Sequence, residues 1–200
     1  SGYLSNFVGN EMIVNNLDGF VISGIDITSL NGTDNREITL NGATINGAPA
    51  IDLDNSAGVL TDLTIDCGGS GTGVTAHHGR ASSPLNIMDS TISSCTKGID
   101  LHTDGESAAM ELSNVAIDSM VAISSDGANI IVNGGELNGS LDINSAIANL
   151  YDVSPSSQST SFGEIRIWST HIFDVRLNGN SHPADLQISV GDYWSADYYG

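Results

Sequence analysis

The sequence is nearly without cations. Lys and Arg total five against 24 Asp and Glu, and Lys97 is the only lysine. Sequence-independent nucleic-acid binding rests on cationic contacts to phosphate, so a net charge of −19 excludes nucleic acid as a partner. Anionic membrane surfaces are disfavoured on the same ground. No run of roughly 18 apolar residues occurs, so no membrane insertion by a helix is expected. Aromatics make up only 6% of the chain, so its core must be aliphatic. Strong helix formers are outnumbered by 27 Ser, 23 Gly, 18 Asn, 18 Asp and 13 Thr, which argues against a helix bundle.

What is present bounds the rest. Two hundred residues make one domain that buries roughly 70% of its unfolded surface and needs no staples to fold. The acids are mostly Asp, a surface that stays soluble where salt screens its self-repulsion and that suits divalent cations. This composition fits a halophilic or marine source. Residue 1 is Ser, with no positively charged leader region after it. The chain reads as one domain over 1–200, a mature or excised piece of a larger secreted or surface protein with neighbouring domains.

A repeat runs through the chain. With Ile117 as an anchor, Met110 and Leu112 sit seven and five positions before it. The same template reads Phe20, Ile22, Ile27; Ile38, Leu40, Ile45; Leu60, Leu63, Ile65; Leu85, Ile87, Ile92; and Ile130, Val132, Leu137. Further copies read Ala148, Leu150, Val153; Ile165, Ile167, Ile172; and Leu186, Ile188, Tyr193. A third apolar group follows about six residues after most anchors: Ile51/Leu53, Val74/Ala76, Ile99/Leu101 and Ile123. A period near 20 residues is too short for a βαβ unit or a propeller blade. Asn-Gly recurs at 31–32, 41–42, 46–47, 133–134, 138–139 and 178–179, and both residues tolerate the left-handed conformation of a tight corner.

Three short strands and three corners per repeat predict an all-β, single-stranded right-handed parallel β-helix of about eight to nine coils. An antiparallel jelly roll or immunoglobulin-like sandwich is the alternative, with strands every 8–12 residues and no 20-residue register. On this pattern, residues 12–193 resemble the right-handed parallel β-helix (pectin-lyase-like) superfamily, which includes pectate lyases, polygalacturonases, alginate epimerases and phage tailspikes. The resemblance is architectural. The epimerase-type Tyr-Gly-x-Asp-Pro-His and the galacturonase-type Gly-His-Gly are absent, and so are the basic residues that the lyases use.

One wall of this helix is chemically rich. From third strand to next anchor the lengths are 14, 18, 18 and 14 residues, so the two middle coils carry the same four-residue insertion. The inserted loops are 78–84, with His78 and Arg80, and 103–109, with Asp104; insertions in solenoids cluster on the binding face. If Ile51, Val74, Ile99 and Ile123 point inward, the strand period of two makes Asp52, Thr75, Asp100 and Ser124 one outward column. Asp54, His77, His102 and Asp126 make a second. Imidazole beside carboxylate suits acid–base work and also borderline metals such as Zn²⁺. Arg80 would grip a substrate carboxylate. The competing reading is a solvated face with chance alignment.

Other groups are weaker. Asp62, Asp66, Asp89 and Asp118 suggest Ca²⁺, which takes oxygen ligands from loops, or else plain solvated acids. Trp168, Tyr193, Trp194, Tyr198 and Tyr199 gather at the C-terminal end, for capping or for sugar stacking. Cys67 and Cys95 follow their anchors by two and three residues and so share one corner of successive coils. Rung stacking at ~5 Å lies inside the disulfide window, although reduced cysteines would pack there too. The composition points to an extracellular location, where disulfides persist.

Two functions follow. One is a non-catalytic extracellular module for surface structure or for contact with glycan or another cell-surface component. The other is a polysaccharide lyase or glycoside hydrolase working on the His77/Asp100/His102 face.

Overall fold

The computed structural model describes residues 1–77, 85–102, 109–126, 128–144, 148–151, 165–168, 174–178 and 195–199. The chain winds as a parallel β-solenoid. Every strand pairing among these residues is parallel, and no helix occurs among them. The antiparallel sandwich is thereby overturned.

Three walls make the coil, and each carries an inward column set by register. In the first, Ile22, Leu40, Leu60, Ile87, Leu112 and Val132 stand rung over rung. In the second, Ile27, Ile45, Ile65, Ile92, Ile117 and Leu137 do so. In the third come Leu30, Ile51, Val74, Ile99, Ile123 and Leu141. Each of these side chains is at most 2% exposed. Branched aliphatics suit the task, because their stiff χ1 costs little in a strand and fills a pleated, close-packed surface.

The corner between the first and second walls shows why Asn, Asp and Gly recur. Asn6, Gly24, Gly42, Asp62, Asp89, Asn114 and Gly134 all have positive φ there. This conformation aims each backbone N–H along the solenoid axis. Gly24, Gly42, Asp62 and Asp89 donate to Asn41, Thr61, Met88 and Ser113 carbonyls on the next coil at 2.9–3.2 Å. Non-Gly residues other than Asn and Asp would meet a steric cost at such a site.

Not every Asn-Gly is a corner. Asn31-Gly32 lies within the strand Ser29–Thr33, and Gly32 is buried. A Cβ there would stand 2.8 Å from Asn35 Nδ2 and 2.9 Å from the Val14 carbonyl. The missing side chain leaves room for the buried Asn35 amide, which donates to Val14 O and Ser56 Oγ while its oxygen accepts from Leu17 N. Here glycine is required by close approach.

Among the described residues about six turns carry all three walls, counted on the column from Ile27 to Leu137, where eight to nine coils were expected over the whole chain. Ile165 and Ile167 belong to the third wall, in register with Leu141 and Ile143, and not to the first. Leu177 and Tyr198 extend the first wall instead. An Ile-x-Ile alternation looks alike on any wall, so the pattern alone could not assign it. Ile172, Leu186, Ile188, Tyr193 and Trp194 lie outside the described residues.

Candidate functional site

The third wall brings the two outward columns together. Thr75 is in register with Asp52 on one side and Asp100 on the other, and Asp100 with Ser124. His77 lies between Asp54 and His102, and His102 is followed by Asp126. His78, Arg80 and Asp104 lie outside the described residues.

The His77 and His102 rings are stacked, with centroids 5.4 Å apart and planes 15° from parallel. One rung of separation between identical side chains on neighbouring parallel strands produces this overlap. Asp100, two residues before His102 on the same strand, is the less exposed of the two, its side chain 14% exposed against 39% for His102. Lys97 Nζ donates to Asp100 Oδ2 at 2.9 Å. His102 Nε2 stands 3.1 Å from Asp100 Oδ1, an ion-pair distance without hydrogen-bond geometry, and Oδ1 is buried with no hydrogen-bond donor among the described residues.

Burial pushes the Asp100 carboxyl up. Hydrogen bonds from Lys97 and Ser124, with the charges of Lys97 and His102, outweigh it and hold the group below its ordinary value of 3.8. A depressed folded value stabilises the fold above 3.8; that contribution declines as pH falls from there to the folded value, and is gone below it. Lys97→Met removes the principal lowering partner and leaves only Ser124 and His102 to oppose burial. We expect a loss of about 1 kcal/mol at neutral pH, since Lys97 is partly exposed, and acid unfolding that begins at higher pH. Identical acid-unfolding curves for both chains would show that the pair contributes nothing.

Lys97 was not legible as a site residue. A strict period of two puts positions 97 and 100 on opposite faces. Gly98 and Ile99 are both buried, which breaks the alternation and returns Lys97 to the side of Asp100. The consecutive buried pairs Gly73/Val74 and Ala122/Ile123 on neighbouring coils are the available signal.

The four other acids do not converge. Asp62 and Asp89 occupy the left-handed corner, while Asp66 and Asp118 are two rungs apart on the second wall with Ser93 between them. Asp89 accepts from Asn114 at 2.8 Å, Asp118 from Asn138 at 2.6 Å, and Asp66 from Gly68 N at 2.9 Å. Among the described residues no three His, Cys, Asp or Glu side chains already surround a metal position. Trp168 is in register with Asn144, and Tyr198 and Tyr199 with Leu177 and Asn178.

Beside the site, Cys67 and Cys95 are joined as a disulfide with Cα atoms 4.9 Å apart. The bridge ties the coil that carries His77 to the coil that carries His102. In comparison with protein-family models, curated proteins and solved structures, this chain matches none.

Proposed function

We propose that the chain is a non-catalytic extracellular module of the right-handed, pectin-lyase-like class, and that it contacts glycan through its third wall. The observation that carries this reading is the His77–His102 stack, set among Asp54, Asp126 and Thr75 on a straight, regularly spaced wall. Parallel ring faces offer apolar surface, and the flanking carboxylates and hydroxyls accept from sugar hydroxyls, the combination that fixes polar ligands in a site. A net charge of −19 repels acidic polysaccharides unless Ca²⁺ or high salt intervenes, so neutral glycans are the preferred partners. The same surface suits a secreted or cell-surface protein in salty water.

A polysaccharide-active enzyme is the second reading, favoured by the Asp100–His102 contact, since a carboxylate can orient an imidazole for proton transfer. It is the weaker one. An ionised Asp100 orients His102 but cannot itself serve as the general acid, and the basic residues that the lyases use are nearly missing.

Purified chain passed over neutral and acidic polysaccharides, with and without Ca²⁺, separates these readings. Retention on a neutral polysaccharide, lost in His77→Ala/His102→Ala with the fold intact, is the expected result. Release of reducing ends or unsaturated products would transfer the case to the enzyme. Equal retention of the double variant would end the role of this wall.

A further inference from the structure

We propose that Asp100, His102 and His77 form a binding site for a borderline divalent cation of the Zn²⁺ class. The inference goes beyond the glycan reading and stands without it.

The first observation is a preformed bite. Asp100 Oδ1 and His102 Nε2 are 3.1 Å apart. Metal bonds of about 2.1 Å to both atoms close over that base at an angle of roughly 95°, which four- to six-coordinate sites accommodate. The contact lacks hydrogen-bond geometry, and Oδ1 is buried with no donor among the described residues. A buried carboxylate oxygen without a donor is costly, and a cation between it and the imidazole satisfies it. The second observation is how rigidly that carboxylate is held. Lys97 secures Oδ2 at 2.9 Å, and Ser124 stands in register with Asp100 on the next coil. Outer partners of this kind orient a ligand and raise metal affinity.

His77 supplies the third ligand. It is exposed and free to tilt, and its centroid is 5.4 Å from that of His102. A metal lies in the plane of each imidazole that binds it, so the His77 ring, stacked 15° from parallel, has to turn toward His102 before one ion reaches both; metal-to-centroid legs of about 3.2 Å on each side then span the 5.4 Å. The described side chains are not yet gathered around one point, so His77 completes the site on binding. Mixed nitrogen and oxygen ligands select Zn²⁺, Ni²⁺ or Cu²⁺ over Ca²⁺, which takes oxygen alone. Lys97 beside Asp100 opposes the cation, and the −19 net charge of the chain favours it.

The test is Zn²⁺ titration of the whole chain by calorimetry, in excess Ca²⁺ to occupy the scattered carboxylates, with no polysaccharide present. Expected is a single Zn²⁺ site that weakens by about tenfold or more in His102→Ala and in Asp100→Asn, with a smaller loss in His77→Ala. Imidazole NMR signals of His77 and His102 should shift together as Zn²⁺ is added. His102→Ala changes a partly exposed side chain, so it keeps the test decisive if Asp100→Asn fails to fold. No Zn²⁺ uptake, or uptake unchanged in His102→Ala, overturns the site. Because glycan is absent, failure here leaves the polysaccharide result untouched, and the converse also holds.

Discussion

Ile92→Ala is expected to cost about 2–5 kcal/mol of folding stability. Ile92 is fully buried and stands in register between Ile65 and Ile117, each itself pinned by the ladder hydrogen bonds of its strand. Its Cγ2 atom lies 2.6 Å from where a Cβ on Gly73 would be, so it fills the space that this glycine of the third wall leaves open. Truncation therefore removes the transfer term for three carbons and leaves a void that backbone on neither side can close, which puts the cost toward the upper part of the range. In a solenoid each coil is stabilised mainly by its neighbours, so the damage should centre on the coils bearing Ile65, Ile92 and Ile117. Urea unfolding with hydrogen exchange reads both effects. A change below about 1 kcal/mol would mean that Ile92 is not a core residue, and uniform loss of protection from end to end would contradict the local character.

Removing the disulfide is the other large effect. Cys67→Ser with Cys95→Ser opens a loop spanning 28 positions, worth about 3.6 kcal/mol in the chain-entropy model. For a chain of this size that is roughly 7–14 °C in Tm. The sulfurs occupy a corner of adjacent coils, with Cys67 N donating to Ser93 O at 3.1 Å and Gly69 N to Ser94 O at 2.7 Å. These bonds keep the corner aligned after the bridge is gone, so the fold should survive with the loop between the cysteines more readily opened. Thiol titration of unfolded, unreduced protein comes first: no free thiol is expected, and two would refute the bridge. If the Ser/Ser variant melts within about 1 °C of the parent, the chain-entropy account fails for this loop.

Much of this molecule is written in one dimension because a solenoid is nearly one-dimensional. Each rung repeats the last, so a spacing in sequence becomes a position in space. The anchors Ile45, Ile65, Ile92, Ile117 and Leu137 could be aligned by counting, and they stack in that order. The same counting placed Asp52, Thr75, Asp100 and Ser124 in one row and Asp54, His77, His102 and Asp126 in the next. It also brought Cys67 to Cys95. Counting failed where the pattern was ambiguous. Ile165 and Ile167 carry an alternation that suits every wall, and the register gives them to the third. Asn31-Gly32 has the composition of a corner, yet a buried Asn35 needs its empty space inside a strand.

By itself, then, the sequence determined the repeat, the parallel stacking, the inward aliphatic columns and the two polar rows, because strand period and rung spacing are properties of the backbone that local patterning reports. Tertiary structure alone decided how the polar rows meet. The paired burial of Gly98 and Ile99 turns Lys97 onto Asp100. Rung-to-rung overlap stacks His77 on His102, and Asp100, less exposed than His102, has its Oδ1 3.1 Å from His102 Nε2. These contacts depend on side-chain direction and depth of burial, which arise only when one coil is laid against the next.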